Sequence, residues 1–161
     1  MSICGVVLMA VLFVSTASTA SADAIALSAE KERFEGAWKA TEIVWGGERY
    51  VGEQIAGNKA VFKGDKVRFT PPPPPGGFVP KKQKLGVGLS GSFSFVLNPS
   101  SNPKSIDVIG VDEEKGTRGF GIYRIDREEL IICIGADVRP KAFESSEGSS
   151  TVLITLKRIE K

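Results

Sequence analysis

The chain has 161 residues, 25% of them charged, 42% hydrophobic and 8% aromatic, which fits one globular domain and excludes disordered, collagenous and coiled-coil chains. Its 21 Lys and Arg against 19 Asp and Glu leave a formal charge of +2 without any long run of one sign, so no nucleic-acid partner is expected. Histidine is absent, which removes Ser-His-Asp and Cys-His catalysis along with the commonest ligand of zinc and iron; no cofactor or metal is expected.

From Ile3 to Val14 the sequence is apolar apart from Cys4 and Gly5, and Ser15 to Ala22 are all small. This is the pattern of a signal peptide, with Ala20-Ser21-Ala22 as the A-x-A cleavage signal and a mature chain beginning near Asp23. The apolar run is shorter than the ~20 residues a membrane-spanning helix needs, so no integral span is expected in the mature protein. Cys4 precedes the apolar run, which disfavours lipoprotein attachment. The expected destination is the periplasm, the cell envelope or the exterior. Residues 1–22 are thus a leader, 23–35 a short helix and linker, and 36–161 one domain. Only Cys133 remains after cleavage, so packing rather than an internal disulfide must hold the fold. Within Leu130-Ile131-Ile132-Cys133-Ile134 it reads as a small buried hydrophobe.

Ser28 to Glu35 predicts a helix of about two turns, capped by Ser28 and closed by Gly36. Beyond it, segments of four to nine residues bounded by Gly, Pro, Asn or Asp predict antiparallel strands. Trp38 to Trp45 turns through Gly46-Gly47 into Glu48 to Val51. Ala60-Val61-Phe62 and Val67-Arg68-Phe69 form a hairpin through Lys63 to Lys66. Pro71 to Pro75 with Gly76, Gly77 and Pro80 interrupts the sheet as a stiff surface connector, since proline lacks the N–H that a ladder requires. Leu89 to Leu97 sets Phe93, Phe95 and Leu97 against Ser92, Ser94 and Val96 on the opposite face. Ile106 to Val111, Gly119 to Ile125, Leu130 to Ile134, Lys141 to Glu144 and Thr151 to Arg158 complete eight or nine strands. The fold class is mainly β: an up-and-down barrel of about eight strands with a short N-terminal helix. A β-sandwich is the alternative, disfavoured because the connections are short hairpins without a long crossover.

Gly36-Ala37-Trp38, opening the first strand directly after a helix, resembles the G-x-W opening of lipocalins. That resemblance implies a Trp38 packed across the closed end of a barrel beside Arg158 of the last strand, a guanidinium on an indole face worth ~0.5–2 kcal/mol. The lipocalin T-D-x-x-Y motif is missing. Asn102-Pro103-Lys104-Ser105-Ile106-Asp107, Gly121-Ile122-Tyr123, Leu130-Ile131-Ile132-Cys133, Arg139-Pro140-Lys141-Ala142-Phe143 and Leu153 to Arg158 add to it in one order. From Phe34 to Arg158 the chain resembles the uncharacterised lipocalin-like domains abundant in planctomycete bacteria, a family that implies this fold and carries no established activity.

Three residues are candidates for a ligand contact. Tyr123 shares a strand face with Gly121 and Ile125 and offers an aromatic body with a hydroxyl, or else is a core tyrosine. Asp107, between Ile106 and Val108, contacts a ligand if its face points inward and is solvated or turn-capping if outward. Arg139 offers a cation to an acidic ligand, or pairs with a surface carboxylate. Asp112-Glu113-Glu114 lacks the spacing of a calcium loop, and adjacent Glu128 and Glu129 do not face one another as a glycosidase pair would. The expected function is non-catalytic binding of a small apolar or amphipathic molecule inside the barrel. The alternative is a structural or protein-interaction domain whose barrel is filled by residues such as Phe93 and Phe95.

Overall fold

The computed structural model describes residues 18–70, 91–112 and 115–160. Of the expected leader, 1–22, only residues 18–22 are described, with its Ala20-Ser21-Ala22 signal inside the first helix, and the proline run at 71–75 lies outside the described residues. In chain order the elements are α1 (Ser18–Phe34), β1 (Gly36–Trp45), β2 (Glu48–Val51), a 3-10 turn (Gly52–Ile55), β3 (Lys59–Lys63), β4 (Lys66–Thr70), β5 (Gly91–Asn98), β6 (Ser105–Gly110), β7 (Arg118–Ile125), β8 (Glu129–Gly135) and β9 (Thr151–Arg158).

Every strand pairing is antiparallel, and the order β1-β3-β4-β5-β6-β7-β8-β9 closes when β9 pairs back onto β1. Eight strands therefore form a barrel with no free edge, and β2 is an added ninth strand. One irregularity makes room for it. The register of β1 against β9 slips between Ala40 and Glu42, leaving Thr41 as the extra residue of a bulge. A bulge bends its strand. Before this one β1 pairs with β3 at Gly36 to Lys39, and after it with β2 at Glu42 to Trp45. Ile55, buried in the 3-10 turn, packs into the core where β2 and β3 part.

The period-two patterns read as expected: β3 and β4 alternate exposed and buried at every residue, and β5 buries Phe93, Phe95 and Leu97 while Val96 is exposed. The helix differs. Its described span, Ser18–Phe34, already covers the ten residues before Ser28, because the alanine-rich run from Ala20 to Ala29 continues the helix toward the N-terminus at little propensity cost. Lys141 to Glu144 also differs, for it forms no strand. The segment from Ala136 to Ser150 instead folds as a strap over the outside of β7, β8 and β9, and its polar groups go to the strands beneath. The Cys133 thiol donates to the Glu144 carbonyl at 3.3 Å, and the Ser145 hydroxyl donates to the Thr151 carbonyl at 2.7 Å. Cys133 and Ile122 are consequently buried although they point away from the barrel interior.

Candidate functional site

The best-built constellation lies at the end of the barrel where β1 begins and β9 ends. Helix α1 arrives there and places Phe34, fully buried, inside the barrel. Its ring centroid is 5.2 Å from that of Phe62, 5.8 Å from Phe95 and 5.0 Å from Tyr123, and Phe62 lies 5.4 Å from Phe95. Three of these four contacts are edge-to-face, the arrangement that the ring quadrupole favours. An inward Phe on β3, one on β5 and the Tyr on β7 thus receive a fourth ring from outside the sheet.

Glu30, one helical turn before Phe34, is buried beside this cluster. Its carboxylate accepts from Lys104 Nζ at 2.7 Å, Tyr123 Oη at 3.1 Å and Arg33 Nη1 at 3.0 Å. Burial alone would push the Glu30 carboxyl up, but the hydrogen bonds from Lys104, Arg33 and Tyr123 outweigh it and hold the group below its ordinary 4.5. Burial and the neighbouring Glu30 charge push the Tyr123 hydroxyl well above the usual phenol range, so Tyr123 stays a proton donor.

Arg158 completes this end. Its guanidinium carbon sits 4.1 Å from the Trp38 ring centroid, and its Nη1 and Nη2 donate to the carbonyls of Glu35 and Arg33, each at 2.7 Å. Trp38 Nε1 donates to the Phe34 carbonyl at 2.8 Å. The last carbonyls of a helix have no partner within it, and here a cation and an indole N–H supply them at the negative end of the helix dipole. Chemically the cluster is an anchor. Its buried carboxylate has three donors, its phenol is held protonated, and the lysine and arginine nearest it are already bound.

The three ligand-contact candidates do not meet. Tyr123 points inward and is spent on Glu30 and Phe34. Asp107 points outward, level with exposed Val96, and Arg139 reaches it from the strap with Nη2 2.7 Å from Oδ1. That contact lacks the alignment of a hydrogen bond, so it is coulombic; the same guanidinium donates from Nη1 to the Gly121 carbonyl at 2.6 Å. Arg139 therefore ties the strap down. The depression at the Asp126–Glu129 turn is wide open to solvent and holds none of the three. No cluster of potential metal ligands occurs among the described residues. Burial pushes the Cys133 thiol up, the opposite of what a reactive cysteine needs.

No family model, curated protein or solved structure matches the chain.

Sequence reasoning missed Phe34 and Glu30 as functional positions. The available signal was an acidic residue and an aromatic at i and i+4, which share a helix face next to the barrel's first strand. It also missed the strap, although the unbroken apolar run Leu130 to Ile134 is what a strand covered on both faces looks like.

The opposite, open end is less complete. Ile43, Tyr50 and Val152 pack only partly against the core, and Trp45, level with Val152 on the same face, is half-buried. At the start of β7 the wall is tight. A Cβ on Gly119 would stand 2.7 Å from Ile134 Cγ2 and 2.9 Å from Val108 Cγ2, so branches of neighbouring side chains already take the space this glycine vacates.

Proposed function

We propose that this is an exported, non-catalytic β-barrel domain, filled by its own side chains, that meets its partners on its outer surface. The observation that carries the reading is the insertion of Phe34 into the ring of Phe62, Phe95 and Tyr123. An eight-stranded barrel either holds one small ligand or is filled from within, and here a helix supplies the filling. Near-zero exposure of Val108, Ile132, Ile134 and Phe95 adds support, because a wall facing a water-sized void would keep accessible surface. The absence of histidine and the full engagement of Glu30 and Tyr123 favour a non-catalytic role. Export rests on the apolar run and A-x-A pattern of the first 22 residues, and the kinship to planctomycete lipocalin-like domains on the spaced motifs from Phe34 to Arg158.

A second reading is a small apolar ligand seated at the open end, favoured by the half-buried Ile43, Trp45, Tyr50 and Val152. Native mass spectrometry of the protein purified from its own host, compared with the denatured sample, separates the two. Bare protein across growth conditions is the outcome expected of a filled barrel. A reproducible extra mass lost on denaturation overturns that reading in favour of the carrier.

A further inference from the structure

The chain is almost neutral overall, but its cations are used in two different ways. Arg33, Arg49, Lys104, Arg139 and Arg158 hold carboxylates, carbonyls or rings. Lys157 on β9, Lys39 on β1 and Lys59 on β3 do something else. They stand directly opposite one another in register across three adjacent strands, and all three are exposed. At about 4.8 Å between neighbouring strands, three like charges form a row roughly 10 Å long. The next strand extends it, with exposed Arg68 opposite Val61, and Lys66 opposite Lys63 across the β3–β4 turn. Among the described residues none of these six cations forms an ion pair. Carboxylates flank the row: Glu129 directly across from Lys157, Asp65 in the turn, and Glu35, which accepts from the Gly64 N–H.

Like charges placed directly opposite on a sheet destabilise it, so folding does not explain Lys39 between two lysines or Lys63 facing Lys66. We infer that the outer face of β9, β1, β3 and β4 binds a linear acidic polysaccharide, its carboxylates lying along the Lys157–Lys39–Lys59 row. This goes beyond the outer-surface reading above and rests on it.

Three features select this occupant. A row of separate ammonium groups suits charges repeated along a chain, whereas a planar membrane would touch only the crest of a convex barrel wall. Among the residues between the cations, Thr70 and Ser92 offer hydroxyls to a sugar, and neither they nor Ala37 and Val61 carry an aromatic ring for a nucleic-acid base to stack on. Export, finally, brings the face to the compartment where such polymers are found.

The test is binding of the purified protein to polygalacturonate at about 50 mM salt, beside dextran, oligo(dT) and phosphatidylglycerol vesicles. Polygalacturonate alone is expected to bind, with affinity falling as salt rises. Lys39→Gln/Lys59→Gln should weaken it about tenfold or more and flatten the salt dependence, whereas Lys115→Gln/Lys141→Gln, an equal charge change elsewhere, should alter it less than about twofold. Lys157→Glu, at the end of its strand, repeats the test should the double variant fold poorly. Equal losses in both double variants would overturn the proposal, as would preferential binding of dextran, oligo(dT) or vesicles. The mass measurement is independent: a carried ligand would refute the filled barrel without touching this result, and failure here would leave the filled barrel standing.

Discussion

The two ends of this barrel are built to different standards. At the closed end one helix contributes a ring to the aromatic cluster and a carboxylate to three donors, and its Arg33 carbonyl and that of Glu35 just after it accept from an arginine, so its position is fixed by packing, charge and hydrogen bonding at once. At the open end the bulge at Thr41 sends β1 away from β3 to a four-residue partner, and the apolar residues there are only partly covered. Closing a barrel by its own sheet leaves its interior open at both mouths. This chain uses a segment outside the sheet to seal one of them.

The largest expected effect is at the sealed mouth. Phe34→Ala should lower unfolding stability by ~3–5 kcal/mol in chemical denaturation, since it removes the ring that Phe62, Phe95 and Tyr123 surround. A loss under ~1 kcal/mol would mean that the helix is not seated as described. Glu30→Gln comes next, at about 1–3 kcal/mol near neutral pH, from donors left poorly matched in a buried site. It should also alter the acid limb. Because the folded-state value lies below 4.5, the stability Glu30 contributes is complete above pH 4.5 and disappears as pH falls through that lower value. Wild-type melting temperature should therefore drop more steeply below pH 4.5 than that of Glu30→Gln, and parallel curves would sink the assignment.

Gly119→Ala probes whether the wall at the start of β7 has slack. Contacts of 2.7 and 2.9 Å for the added methyl predict a loss of ~1–3 kcal/mol from overpacking. A neutral or stabilising result would reveal unfilled volume and revive the carrier reading. The smallest effect is expected for Tyr50→Phe, which deletes a hydroxyl bonded to exposed Glu48 and should change stability by no more than about 0.5 kcal/mol. A cost similar to that of Glu30→Gln would erase the contrast between the two ends.

Much of the barrel wall was legible in the sequence because a strand's period of two is local. Phe93, Phe95 and Leu97 declare their face without knowledge of any neighbour, and Lys63 to Lys66 marks a hairpin by itself. The seal was not legible, since Phe34 becomes a core residue only when its helix lies over strands that follow much later in the chain. The helix start was misplaced for a related reason: Ser28 is a plausible cap, but the alanines before it propagate a helix equally well. Reading Lys141 to Glu144 as a strand failed because it rested on Phe143, which is only half-buried against Arg124 on the outside of the sheet, while Lys141, Ala142 and Glu144 are exposed. Tyr123, Asp107 and Arg139 each admit a ligand-contact and a structural reading from sequence, and the structure seats Tyr123 in the core and pairs Asp107 with Arg139 at the surface.

The pairing of β1 with β9 joins Trp38 to Arg158 across 120 residues of chain. Until the last strand is in place, one whole side of the first strand presents unpaired backbone, and so does β8. The molecule must therefore be complete before it is protected. Contacts that distant in sequence make folding slow, on the millisecond-to-second scale of β topologies. Until that strand arrives, β1 and β8 are each a free edge on which another copy of the chain could pair.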